Sequence, residues 1–507
     1  MMKSLGSIGI FRLTGKGKPE MVRKQSISNN FLFQYAYQVL ILVIPLVLAP
    51  YLSRTLRETA LGVFSYANSI AAYFVAMARL GIARHGQRVI SENANDDIKL
   101  RKSFWSLFTV HVIISVISLL AYIIAVSFFA KSDKTVFLIE SIYVASAIFD
   151  ITWLFYGLEN FKSVVIKNTL VKIVECICIF AFVKQPGDLW KYALINAVGI
   201  LIGQTIMIPQ AIKAVKPIQF TKSDLKEHIK PLLVFSISVI ASYMYTVFDK
   251  TLLGMMSTKE NVAFYEYSNK IVNVPRTVIG VTGTVMFPRA CRLVAEGNVA
   301  SQRKYIKYSY FITSFLGMAS LFGLVGIADA FSVVYYGEPF RMCGKIMACM
   351  SPLVYIVGAG DIIRTQYMIP NHMDKQYNVC IVFNAIINMI LSIILIPIIG
   401  VYGAVIGSVS AEVFGLLVQT VLCRKFVRVT EILKELAPFV FIGALMLASI
   451  KYIDTIWKAS LPGLLLAEIG VGGAVYCLLT AIYIFLFRKD IKTSVMNKMK
   501  IKKKGEV

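Results

Sequence analysis

What limits this chain most is a succession of apolar runs, each about twenty residues long and separated by short polar or charged turns. A bilayer offers the backbone no hydrogen-bonding solvent, so only helices and closed barrels can cross it. Barrel strands need alternating segments of about ten residues, which these continuous runs do not supply. The chain therefore reads as an all-α polytopic membrane protein with about fourteen transmembrane helices. Of its 507 residues, 57% are hydrophobic and only 16% charged, well outside the range of a water-soluble domain.

Lys and Arg number 53 against 28 Asp and Glu, a formal net charge of +25. No nucleic-acid partner is expected from this excess, because the basic residues sit in tails and alternate connections instead of one patch. Examples are Arg84, Arg88, Lys99, Arg101 and Lys102, then Lys213, Lys216, Lys222, Lys226 and Lys230, and the closing Lys502-Lys503-Lys504 run. The positive-inside rule then places both termini in the cytoplasm. The eight cysteines have no metal-ligand spacing, so no metal or cofactor is expected. No phosphate loop or HExxH occurs, the four histidines (His85, His111, His228, His372) are isolated in sequence, and no connection is long enough for an extramembrane catalytic domain. A transporter is expected in preference to an enzyme.

An internal echo sets the organisation. Ser65-Tyr66-Ala67-Asn68-Ser69-Ile70 aligns with Glu266-Tyr267-Ser268-Asn269-Lys270-Ile271, each after an apolar run and a short charged turn, and Gly199-xxx-Gly203 has a counterpart in Gly403-xxx-Gly407. The expected organisation is a basic tail (1–27), an N-lobe of six helices (28–224), a C-lobe of six (225–430), two accessory helices (431–488) and a second basic tail (489–507). The two six-helix lobes would be parallel repeats around a central cavity.

Polar residues at helical spacing mark the walls of that cavity. Asn269, Asn273, Arg276, Gly280 and Thr284 share one face, and Asn68, Ala72, Val75 and Arg79 share the equivalent face of the earlier repeat. Arg79 and Arg276 would form a staggered cationic pair, although Arg79 lies close enough to a helix end to snorkel instead. Lys270 lies on the same helix as Arg276 but off its main face. Ser238, Ser242, Thr246 and Asp249 form a further stripe, and Asn30, Gln34 and Gln38 another. Asp249, Glu412 and Asp361 are the carboxylates available for ion coupling; Asp361 with Arg364, and Lys172 with Glu175, are i,i+3 pairs able to neutralise each other.

Several of these stretches have a family likeness. Tyr51-Leu52-Ser53-Arg54-Thr55-Leu56 through Leu61-Gly62-Val63-Phe64-Ser65-Tyr66-Ala67, with Leu80-Gly81 and Arg84 to Arg88, resembles the opening of the Wzx-type polysaccharide flippases of the multidrug/oligosaccharidyl-lipid/polysaccharide exporter superfamily. Trp153 to Glu159 is similar to that family's aromatic-Gly-Leu-Glu signature, with Tyr156 where Gln is common. Asp249-Lys250-xxx-Leu253-Gly254, and Asn384-xxx-Asn388 leading through Pro397 and Gly400 to Glu412, resemble two more of its signatures. The resemblance spans roughly residues 25 to 430. It implies translocation of an undecaprenyl-diphosphate oligosaccharide across a bacterial cytoplasmic membrane, through a cationic cavity and coupled to H⁺ or Na⁺. Its partners would be membrane lipids and polysaccharide assembly proteins. The alternatives are a multidrug/cation antiporter or another lipid-linked exporter of the superfamily, and a membrane polysaccharide polymerase.

Overall fold

The computed structural model describes residues 27–130, 133–424 and 426–488, except for the side chains of residues 27–39, 129, 237, 238, 240–242 and 244–246. The basic tails, and the side chains of Asn30, Gln34, Gln38, Ser238, Ser242 and Thr246, therefore lie outside the described residues.

The described residues form α-helices and short helical turns, with no strand among them. In chain order the helices are α1 (Ile27–Arg79), α2 (Ile82–Asn93), α3 (Asp97–Phe129), α4 (Lys134–Ser146), α5 (Thr152–Gly157), α6 (Phe161–Phe182), α7 (Leu189–Thr205) and α8 (Ile208–Ala214). They continue with α9 (Lys222–Met256), α10 (Lys259–Ala295), α11 (Val299–Tyr336), α12 (Arg341–Met350), α13 (Pro352–Ile363), α14 (Asp374–Ile399), α15 (Val401–Leu422), α16 (Val429–Ile456) and α17 (Leu461–Phe487). Eleven helical segments are long and apolar enough to cross a bilayer, which makes this a polytopic membrane protein.

The eleven count Leu40–Asn93 once, although its 54 residues hold two helices that meet at Arg57, whose φ is 63°. A left-handed residue costs an L-amino acid about 1 kcal/mol or more, so the bend must be held from outside. Ser53 supplies one tie, its hydroxyl donating to the Tyr336 carbonyl at 2.7 Å, and Arg54 another, to the Val334 carbonyl at 2.6 Å. The charged helix α6, with Lys162, Lys167, Lys172 and Glu175, is not among the eleven.

At the end of the molecule bearing the Arg57 bend, opposite the basic connections, the first and second halves of the chain touch closely. A Cβ on Gly62 would lie 1.8 Å from the Lys259 carbonyl oxygen, and one on Gly254 would lie 1.9 Å from the Tyr66 ring. Only glycine permits these approaches. The Lys259 ammonium closes the seam, 3.7 Å from the Tyr66 ring centre and donating to the Gly254 carbonyl at 2.9 Å.

The α14–α15 hairpin is packed just as tightly. Cβ atoms on Gly407 and Gly415 would come within 2.4 Å of the Ser392 hydroxyl and 2.2 Å of the Asn384 amide. Gly199 and Gly203, the sequence counterparts of Gly403 and Gly407, behave differently: a Cβ there would meet only Glu175 at 3.5 Å and Val171 at 3.7 Å. The same spacing thus closes a helix pair in one half and leaves a groove in the other.

Candidate functional site

A cavity of about 300 Å³ lies in the first half of the chain, walled by Pro45 and Leu48 of α1, Lys172 and Glu175 of α6 and Tyr192 of α7, with Lys270 of α10 reaching it from the second half. Its polar rim is a set of ion pairs. Lys172 reaches Glu175 at 2.7 Å, as the i,i+3 spacing on one helix turn suggests. Glu266 is shared, one oxygen 3.0 Å from the Lys250 ammonium and the other 3.9 Å from that of Lys270. Lys270 also sits 4.1 Å from the centre of the Tyr267 ring. Two lysines on one carboxylate leave one positive charge unneutralised beside the cavity, and the desolvated setting strengthens its attraction for an anion.

The residues expected to share this cavity are distributed more widely. Arg79 is 3.0 Å from Asp150, whose other partners are the Thr152 hydroxyl at 2.6 Å and backbone N–H at 3.2 Å. The Asn68 amide donates to the buried carboxylate of Glu140 on α4 at 3.1 Å. Both contacts join the Asn68–Arg79 face to the first half of the chain, with Val75 between them fully buried, while Arg79 also hydrogen-bonds Tyr243 on α9 of the second half. Arg79 thus has its own counter-ion in Asp150, and neither it nor Arg276 walls the 300 Å³ cavity. Arg276, half-buried, donates to its neighbour Asn273 at 3.0 Å, and Asn269 is half-buried one turn earlier. Asp150 and Glu140 carry no local sequence signal as partners, because Asp150 lies in the break before α5 and Glu140 on α4, both far along the chain from the α1 residues they meet.

A second polar centre lies inside the second half. Asp249 on α9 is buried and accepts four hydrogen bonds: from Ser408 at 2.5 Å, Tyr265 at 2.8 Å, Ser392 at 3.1 Å and Asn388 at 3.4 Å. These donors come from α15, α10 and α14, and all are neutral. Glu412 is buried one turn beyond Ser408, and Asn384 one turn before Asn388, with its amide oxygen unpaired. The stripes Asn384-Asn388-Ser392 and Ser408-Glu412, each at i,i+4, were readable from the sequence; that they converge on Asp249 was not. Asp361 is engaged by Arg364 at 3.1 Å, beside a π-helical turn over Arg364–Met368.

Comparison with known proteins fits this geometry. The family model described as "Polysaccharide biosynthesis protein" matches residues 27–294, just over half of the chain. The chain belongs to that family. A putative O-antigen transporter of Escherichia coli K12 is 21% identical over 395 residues, covering 77% of this chain and 94% of its own. One from Shigella dysenteriae is 26% identical over 280 residues, covering 55% and 69%. Among solved structures, the lipid II flippase MurJ in an inward closed conformation superposes with a TM-score of 0.72 at 16% identity, covering 90% of this chain and 99% of MurJ. An inward-facing multidrug resistance MATE transporter gives 0.53 at 13% identity, covering 83% and 96%. At these identities the likeness is one of fold. This member of the polysaccharide biosynthesis family therefore shares its fold with MurJ and with the inward-facing MATE transporter.

Proposed function

We propose that this protein is a flippase that moves undecaprenyl-diphosphate-linked oligosaccharide units from the inner to the outer leaflet of a bacterial cytoplasmic membrane for surface polysaccharide assembly. The observation that carries this reading is the Lys250–Glu266–Lys270 cluster, one cation in excess, beside a cavity where Lys270 meets α1, α6 and α7. A diphosphate needs fixed cations in a water-poor cleft, while a prenyl tail can stay in lipid. The names of the O-antigen transporters point the same way. A multidrug antiporter for cationic drugs would favour an acidic cavity; the excess lysine disfavours it.

The reading includes two parallel lobes, 28–224 and 225–430, with both termini in the cytoplasm, alternating access of the cavity, and coupling to a cation at Asp249. The Asp249 carboxylate and the hydroxyls of Tyr265, Ser392 and Ser408 offer oxygens to a hard monovalent ion, with the Asn388 amide turned over to present its own, and the same carboxylate could instead take a proton. Asn68, Asn269, Asn273, Arg79 and Arg276 then line the route or brace it, and Glu412 and Asp361 support the ion-linked side. Assembly proteins that receive the flipped unit are the implied partners.

The test is reorientation of labelled undecaprenyl-diphosphate oligosaccharide in proteoliposomes. Lys270→Gln should lower the rate by tenfold or more, on the scale of one charge-assisted contact of about 1.5–3 kcal/mol. Undiminished flipping by that variant, or formation of a new glycosidic bond by the wild-type protein, would overturn the reading.

A further inference from the structure

A buried cation that none of the described ion pairs uses lies outside the central cluster. Lys167 on α6 is 8% exposed, and among the described residues no hydrogen bond or ion pair reaches it. The carboxylate that acts on it is Asp150, already held by Arg79 and Thr152. Arg79 and Lys167 therefore face a single carboxylate, and one positive charge is left over. A buried ammonium without an anion is costly and asks for a ligand.

Lys167 borders a groove of about 200 Å³ between α6 and α7, together with Asn168, Lys172, Glu175 and Gln204. Gly199 and Gly203 keep it open, since neither brings backbone or side chain into close contact across it. The Gln204 amide oxygen is buried without a partner; rotating the amide would present two N–H donors to an anion instead. Lys172 and Glu175 wall both this groove and the 300 Å³ cavity that holds Lys270. A phosphate could thus pass from Lys167 to Lys172 to Lys270 without losing contact with protein cations.

We propose that the α6–α7 groove is an anion site that takes one phosphate of a prenyl diphosphate, with Lys167 as its cation and Lys172 as the link to the central cavity. The proposal rests on the flippase reading. It adds to it that the two halves of the chain contribute one unpaired positive charge each, around Lys167 and around Lys270. Together they match the two negative charges of a diphosphate esterified at both ends.

The experiment uses the full-length protein in neutral detergent, with farnesyl diphosphate as the probe and calorimetric affinity as the readout. Lys167→Gln should weaken binding by about tenfold or more, as loss of one charge-assisted contact does, while Lys167→Arg stays close to wild type. Gly203→Leu, which alters no charge, should also weaken it by filling the groove, and it serves as the independent variant if Lys167→Gln fails to fold. Inorganic diphosphate, and nanodiscs containing phosphatidylglycerol, should compete poorly. If Lys167→Gln and Gly203→Leu bind farnesyl diphosphate as wild type does while Lys270→Gln does not, this site is wrong and the flippase reading stands. If Lys270→Gln also binds normally, both fall. Equal affinity for inorganic diphosphate, or for phosphatidylglycerol, would overturn the assignment to a prenyl diphosphate.

Discussion

Thr59 and Glu260 meet side chain to side chain, the threonine hydroxyl donating to the carboxylate at 2.6 Å across 201 positions of sequence. That interval is the one that superposes Asn68 on Asn269. Equivalent positions of two units touch where a twofold relation passes between them, so this contact is what parallel repeats would produce. It lies in the same seam as Gly62, Tyr66, Gly254 and Lys259, where the two halves close on each other.

If transport requires this seam to part, a covalent tie across it should stop the cycle. Thr59→Cys with Glu260→Cys, in a background with the eight native cysteines replaced, should form a disulfide that abolishes flipping until a reductant is added. Full transport by fully cross-linked protein would refute the gate.

Asp249 organises four neutral donors, and removing it leaves them facing one another without an acceptor. Asp249→Ala should lower stability by about 2–4 kcal/mol by thermal unfolding. It should also remove any rise in melting temperature that Na⁺ or acid gives the wild-type protein, since only a ligand bound to the folded state stabilises it. A variant that keeps the wild-type ion response would exclude Asp249 as the coupling site.

The Arg79–Asp150 pair separates a bracing role from a substrate role. Removing Asp150 strands the positive charges of both Arg79 and Lys167 and costs about 3 kcal/mol, whereas removing Arg79 leaves Asp150 facing Lys167. Asp150→Leu should therefore unfold at a lower temperature than Arg79→Leu. Near-wild-type stability of Arg79→Leu with loss of flipping would assign Arg79 to the transported anion as well.

At the basic end, His85 and His228 join α2 to α9 through ring nitrogens 3.1 Å apart, and His228 meets the Ser106 hydroxyl at 2.9 Å. Arg88, Glu92, Lys99, Lys102, Asp224 and Glu227 surround them in a cavity of about 430 Å³. The ring-to-ring bond needs one nitrogen to accept, so protonating both histidines breaks it. Asp224 does not titrate in this window: the Thr221 backbone N–H and hydroxyl, with Lys102, bring its carboxyl down to about 2. A depressed carboxyl contributes stability above its unfolded pKa and loses it only as pH falls towards 2, so the Lys102–Asp224 tie persists at pH 4. Amide protection over residues 82–93, referred to the intrinsic exchange rate at each pH, should fall between pH 7.5 and 4, and His228→Gln should flatten that response.

How far the sequence could be read follows from what each residue needs nearby. Apolar runs fixed the all-helical class, because a bilayer leaves the backbone no other partner than its own chain. The pairs Lys172–Glu175 and Asp361–Arg364 were legible because three residues apart on a helix is a physical neighbour. The 201-residue echo was likewise open to inspection. Tertiary structure alone decided which helix each polar face meets: it gave Arg79 to Asp150, Asn68 to Glu140, and Asp249 to donors as distant as Ser408. Helical periodicity fixes the direction in which a side chain leaves its own axis; only the packed bundle determines what stands on the other side.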